Sequence, residues 1–398
     1  MKLSLEIILL LPALIILLPS LVFFIECLAA SQAKIDHQAI LENDQEANPR
    51  VTVLVPAHNE ADAISSTIES ILPQLTSTDQ LIVIADNCTD TTAQAARQYP
   101  IIVIERFNID QRGKGYALDY GLKYLEKEPP EILITVDADC FVESNTIKTI
   151  ACLAHQKQRP VQSTYLMEHP INPTVKDLIS AFAIKVKNLV RPIGLAQLGQ
   201  PCLLTGSGMA FPWSVIRQVS LTNSKTTDDM QLSVDLALAG YSPFYCPQGR
   251  VKGRLMADQW AASQRSRWEH GHIEMILTET PRLLKAFREQ KRLDLLALAL
   301  EISVPPLSLL VLLWCLMLII TLIGGLLGLS WLPSGILAVA GLMIMIGVFA
   351  AWFKFARTEI PLSTLRDIVR YLIWKIPIYF AYLNNPKSRW LETERDKN

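Results

Sequence analysis

Two carboxylates one residue apart, Asp137 and Asp139, close the apolar run ILITVDADC at residues 132–140. Aspartate is a poor strand residue, and like charges so close repel unless a cation or a hydrogen-bonded partner lies between them. In an extended segment residues i and i+2 share a face, so both side chains could converge on one hard divalent cation that also holds phosphate oxygens. A second pair, Asp228 and Asp229, opens the helical pattern in TTDDMQLSVDLALAGY. Asp229 suits two roles there: partner of Thr226 in a capping box, or a general base kept ionised at neutral pH. In QRSRWEHGH, Gln264, Arg267 and Trp268 fall at i, i+3 and i+4 on one helix face. Arginine can grip a pyrophosphate and tryptophan gives a platform for a sugar ring, although Trp268 equally suits a packed core face. His270 and His272 are too close for helical metal pairing and read as surface or supporting residues.

These residues need a scaffold, and the chain supplies an alternation. The apolar runs VTVLVPA, LIVIAD, IIVIE and EILITVD are separated by helical stretches near 61–75, 91–98 and 116–127. Short β-branched runs alternating with amphipathic helices predict a mostly parallel sheet with helices on both faces. Ligands of such sheets bind beyond the carboxyl ends of the strands. His58-Asn59-Glu60, Asp86-Asn87 and the Asp137/Asp139 pair all fall there. Asn59 and Glu60 sit where a strand turns into a helix, which suits either a diphosphate on backbone N–H groups or a plain N-cap. Asp86 could accept the N3–H of a uracil or simply form a turn. QRGKGYALDYG lacks the third glycine of a dinucleotide fingerprint; its Lys114 suits a phosphate or a solvated surface.

The chain has 398 residues, half of them apolar, and a formal net charge of −1, which excludes disorder and gives no sign of nucleic acid. Its apolar residues concentrate in Ile7 to Ile25, Val304 to Leu327 and Ile336 to Phe353. Each run is near or above the ~20 residues that cross a bilayer. The first resembles a signal peptide in its basic start and its LAASQA segment, but its length favours an uncleaved anchor. GLSWLPSG between the last two runs carries no charge, whereas Lys354, Arg357, Arg366, Arg370 and Lys375 follow. The positive-inside rule then puts that connection outside and the central region in the cytoplasm. Two basic amphipathic segments, PRLLKAFREQKR and the one from Leu365, read as helices on the inner leaflet. Seven scattered cysteines without a C-x-x-C pair disfavour a disulfide framework and a zinc site.

The ordered series PAHNE, ADNCTD, RGKGYAL, VDADC, TGSGMAF, TDD and QRSRW, over about 51–272, resembles the membrane-bound family 2 inverting glycosyltransferases. That family includes cellulose, chitin, hyaluronan and poly-N-acetylglucosamine synthases. The resemblance implies an α/β GT-A, Rossmann-like catalytic domain with transmembrane and interfacial α-helices. It implies that Asn59, Glu60 and Asp86 hold the uridine of a UDP-sugar, with Lys114 and Asp137 at the nucleotide sugar. Asp139, assisted by Asp137, becomes the Mg²⁺ or Mn²⁺ ligand, and Asp229 the general base. Gly206 and Ser207 line the acceptor site, and Gln264, Arg267 and Trp268 close the last motif. Thr227-Asp228-Asp229 departs from the family's Thr-Glu-Asp by a shorter middle carboxylate.

The organisation expected is an anchor at 1–30, a linker at 31–50 and a GT-A domain at 51–280. An interfacial helix at 281–300, a transmembrane hairpin at 301–355, and an interfacial helix and cytoplasmic tail at 356–398 follow. The expected activity is transfer from a UDP-sugar to a polysaccharide or glycan acceptor at the inner membrane face, in exopolysaccharide assembly. The alternative acceptor is a membrane lipid, as in ceramide-type glycosyltransferases, and a non-catalytic nucleotide-sugar-binding subunit is a third reading. Polysaccharide export subunits are candidate partners of this multi-pass inner-membrane protein.

Overall fold

A computed structural model describes residues 2–34, 48–170, 172–222, 228–254 and 258–384. The four predicted strands appear as β1 (Val51–Ala57), β2 (Gln80–Asp86), β3 (Ile102–Arg106) and β4 (Ile132–Thr135). They lie parallel in the order β3-β2-β1-β4, with Val53 opposite both Leu81 and Ile134. β1, β2 and β4 are buried on both faces, which is why they read as continuous apolar runs. Residues 161–254 extend the sheet with β6 (Val161–Glu168), β7 (Met209–Pro212) and β8 (Phe244–Arg254), and β5 (Phe141–Val142) closes it. β7 runs antiparallel to β4 and to β6, so the sheet is mixed, with parallel pairings in the majority. The parallel half sets the edge at which the candidate site residues gather, and β7 carries TGSGMAF back against it.

The first helices are α1 (Lys2–Gln32), α2 (Ile64–Ile71), α3 (Thr92–Ala96) and α4 (Lys114–Leu125). Ile64, Ile68 and Ile71 of α2, at helical spacing, are fully buried against one sheet face. Each such side chain contributes about 1.5–3 kcal/mol. Leu118, Leu122 and Leu125 of α4 cover the other face with Leu54 and Ile84. Then come α5 (Thr146–Lys157), α6 (Val175–Lys185), a π turn at Val186–Val190, α7 (Arg191–Gln197) and α8 (Asp228–Leu238).

A long helix, α9 (Asp258–Gln290), unites the QRSRW segment with the expected interfacial helix, and α10 (Leu293–Ser303) follows a break at Lys291, φ 57°. Leu283, Leu284 and Phe287 pack inward with Met230 and Val234, so this apolar face meets protein. Three helices, α1, α11 (Leu307–Leu326) and α12 (Leu332–Phe355), are long and apolar enough to cross a membrane. Last in the described residues is α13 (Ile368–Asn384), which exposes Val369, Ile373 and Phe380 and buries Tyr371 and Lys375.

The catalytic half is fastened to these helices by direct contact. A Cβ at Gly194 of α7 would lie 2.0 Å from the carbonyl oxygen of Glu26 in α1, so only glycine lets the backbones meet. Beside it Arg191 Nε donates to Glu26 Oε2 at 2.6 Å, and its Nη2 to Glu301 Oε2 of α10 at 2.6 Å. All three side chains are buried.

Candidate active site

One cavity of about 1490 Å³ opens beyond the carboxyl ends of β1, β2 and β4. Asn59, Glu60, Asp86, Lys114, Asp137, Asp139, Gly206, Asp229, Arg267 and Trp268 all line it. Ser207 is buried behind the wall, where its hydroxyl accepts the Asp137 backbone N–H at 3.0 Å. The side chain of Gln264 and the whole of Thr226 and Thr227 lie outside the described residues, and with them the capping box.

At the nucleotide end, Asn59 is not a helix cap: α2 starts five residues later, with Ala63 before it. Asn59 takes a left-handed conformation, φ 54°, and its Oδ1 accepts from Thr89 N at 2.8 Å, tying the β1 and β2 loops together. The N–H groups of Glu60 and Ala61 donate to Thr92 Oγ1 and Asp90 Oδ2, which removes them from any phosphate. Asp86 is buried and ion-paired to Arg106 Nη1 at 2.6 Å, with Asn87 Nδ2 on the same oxygen at 3.1 Å. Sequence reasoning missed Arg106. The signal was available as a lone arginine ending the apolar strand IVIER.

The two carboxylates of VDADC sit in a turn after β4 rather than in extended backbone, because Cys140 N closes on the Asp137 carbonyl at 3.2 Å. Lys114, the first residue of α4, reaches across to Asp137 Oδ1 and the Gly206 carbonyl. Burial, then the neighbouring Asp137 charge, raises the Asp139 carboxyl to about 6. Two oxygen donors, one of them desolvated, fit a hard divalent cation whose other ligands come from phosphate and water. Among the described residues no cluster of three or more metal-ligating side chains exists.

Asp228 and Asp229 open α8 as expected. Asp229 faces Gly206: a Cβ on that glycine would lie 3.5 Å from its Oδ2. Asp228 turns toward α4, accepts the Gly115 N–H, and leaves Oδ1 buried without a partner among the described residues. Burial, reinforced by Asp229, raises Asp228 to about 7. His270 and His272 are buried, not superficial. Their Nε2 atoms lie 2.8 Å from the Ile378 carbonyl and 3.1 Å from the Ile302 carbonyl, bracing α9 against α13 and α10. Burial, aided by Lys187 and Arg191, lowers His272 to about 3.

The sequence model of the family described as Glycosyltransferase like family 2 matches residues 49–272, the span that supplies the polar end of this cavity. The chain belongs to that family. The family 2 glycosyltransferase is 25% identical over 239 residues to the poly-beta-1,6-N-acetyl-D-glucosamine synthase of Staphylococcus aureus, covering 58% of this chain and 56% of that one. It is 25% identical over 265 residues to the probable glycosyltransferase YdaM of Bacillus subtilis, covering 62% and 61%. The chain thus spans little more than half the length of these curated relatives. Its GT-A fold is shared with the mannosyltransferase PcManGT of Pyrobaculum calidifontis, solved with GDP-Man and Mn²⁺. The TM-score is 0.56 at 17% identity, over 95% of this chain and 100% of that one.

Proposed function

We infer that the protein catalyses inverting transfer of a sugar from a UDP-sugar to an acceptor hydroxyl at the inner face of the membrane. The single observation that carries this is the point beside Gly206 that lies within 4 Å of Asp229, Asp137 and Lys114 together. It sets a base, a metal ligand and a cation around one small space. Asp86, oriented by Arg106 and Asn87, accepts from the uracil, and Lys114 meets the diphosphate. Asp137 and Asp139 would hold Mg²⁺ or Mn²⁺, which when bound neutralises charge developing on the leaving diphosphate. Asp229 takes the proton of the acceptor hydroxyl. The hydroxyl oxygen bonds to the anomeric carbon from the opposite face, and the bond to the diphosphate breaks with its electron pair leaving on UDP.

A growing glycan in exopolysaccharide assembly is the first reading of the acceptor, supported by the likeness to a polysaccharide synthase. A membrane lipid is the second. It is favoured by the cavity's continuation between Phe23, Val311 and Val348 of the three apolar helices. Export subunits would join only in the first case. Three checks test the activity, the donor and the orientation. Purified protein should release UDP from radiolabelled UDP-glucose or UDP-N-acetylglucosamine in Mn²⁺; binding without release would leave a non-catalytic subunit. GDP-mannose, the donor of the Pyrobaculum relative's complex, should be the poorer substrate, and preference for it would overturn the uridine assignment. For orientation, Leu327→Cys in a cysteine-free background should label from outside intact cells, and labelling only after lysis would reverse the topology.

A further inference from the structure

Lys187 lies on the π turn between α6 and α7 and lines the cavity at the junction of its polar and apolar ends. Among the described residues it has neither an ion-pair nor a hydrogen-bond partner. The nearby charges are otherwise committed: Arg191 holds Glu26 and Glu301, and Lys375 holds Glu269. Asp229 acts on Lys187 electrostatically, yet burial still draws its ammonium below the usual lysine value. The next residue, Asn188, also lines the cavity. Its Nδ2 donates to the Tyr165 carbonyl at 3.0 Å, while its Oδ1 is buried with no partner among the described residues. A buried acceptor left unmade is costly unless a ligand completes it, and half-buried Lys187 beside it has an ammonium available to the same ligand. π turns interrupt helices most often at functional sites.

Beyond Lys187 the cavity wall turns aliphatic. Phe23, Leu307, Val311, Val348, Ile368 and Leu372 line it, from the three apolar helices and α13. Ser308, Tyr371 and Lys375 line this end as well, but hydrocarbon side chains predominate there, which suits lipid chains better than a hydroxyl-rich glycan. We propose that the acceptor is an anionic lipid: its chains lie among these residues, its headgroup anion pairs with Lys187, and a headgroup hydroxyl lies between Asn188 Oδ1 and Asp229. The transfer step is the one given above, with the headgroup oxygen forming the new bond and its proton passing to Asp229. This deepens the transferase reading and rests on it.

The test uses the full chain in detergent with radiolabelled UDP-glucose and UDP-N-acetylglucosamine. Acceptors are a bacterial total lipid extract split by anion exchange into acidic and neutral fractions, free glycerol 3-phosphate, and oligosaccharides. Label should enter the acidic lipids. Lys187→Met should cut that transfer by about 30-fold or more, mainly through the acceptor KM, the scale of losing one partner of a buried charge pair. Lys187→Arg should restore most of it, and thermal melts check that each variant folds. Equal labelling of neutral lipids, label in glycerol 3-phosphate or oligosaccharide with acidic lipid blank, or a Met variant that transfers like the parent would overturn the proposal. UDP release without lipid label leaves the transferase reading standing and removes the lipid. No UDP release in any arm removes both.

Discussion

Gly206 and Asp229 face each other across the catalytic cavity: a Cβ on Gly206 would lie 3.5 Å from Asp229 Oδ2. The same atom would lie 3.9 Å from Asp137 Oδ2 and from Lys114 Nζ. Gly206 also holds φ 102°, a conformation side chains rarely adopt. Gly206→Ala should therefore displace the loop and crowd the reacting space. We expect turnover to fall by about 10²-fold, the scale of a 1 Å misplacement. Initial rates beside thermal melts check this, since a variant that melts lower but turns over normally would mean the glycine serves only the loop.

In the proposed metal site, removing Asp139 leaves Asp137 alone to meet a cation that must also face a negative diphosphate. Asp139→Ala should abolish metal-stimulated transfer. Rates across Mn²⁺, Mg²⁺ and EDTA decide it. EDTA-insensitive, near-normal turnover in the variant would assign the metal elsewhere or nowhere.

Asp228 gives stability a pH dependence of known sign. Burial and Asp229 raise it from 3.8 to about 7 in the folded protein. The native state therefore binds more protons than the unfolded chain between about pH 4 and 7, and stability falls as pH rises through that window. Asp228→Asn removes this contribution. Its melting temperature should drop less than the parent's between about pH 5 and 8, as differential scanning of both proteins would show; parallel slopes would refute the shift.

Arg191 pairs with both Glu26 and Glu301 in a buried triad. Arg191→Ala leaves two buried carboxylates without their cation, a loss of about 3–5 kcal/mol. The variant should express poorly or melt far below the parent in nanodiscs. A melt within a degree or two of the parent's would show that the triad contributes little to joining α1 and α10 to the catalytic half.

The parallel half of the sheet was legible because β1, β2 and β4 are buried on both faces and so read as unbroken apolar runs. That the candidate site residues share one cavity was legible because a parallel sheet gathers its strand ends at one edge, bringing Asp86 and Asp137 together from distant positions. Partners were not. Nothing local in the sequence joins Arg191 to Glu26, 165 residues away. Glu26, a charge at the end of an apolar helix, signalled only that some partner had to exist. The fate of Leu283, Leu284 and Phe287 was equally hidden, since an amphipathic pattern gives a face without saying whether protein or lipid covers it. Lys187 escaped notice because its meaning depends on a π turn that no periodicity announces.

The account turns most on Asp229 as the general base, and one comparison tests that directly. Asp229→Asn keeps the side chain's size and its hydrogen-bond acceptor for the Met230 N–H, 2.9 Å away in the parent, but cannot take a proton. Measured together on purified protein, UDP binding should persist while kcat falls by about 10²-fold or more. Parent-like kcat in a variant that binds UDP normally would contradict the account, leaving the carboxylate a structural residue at the start of α8.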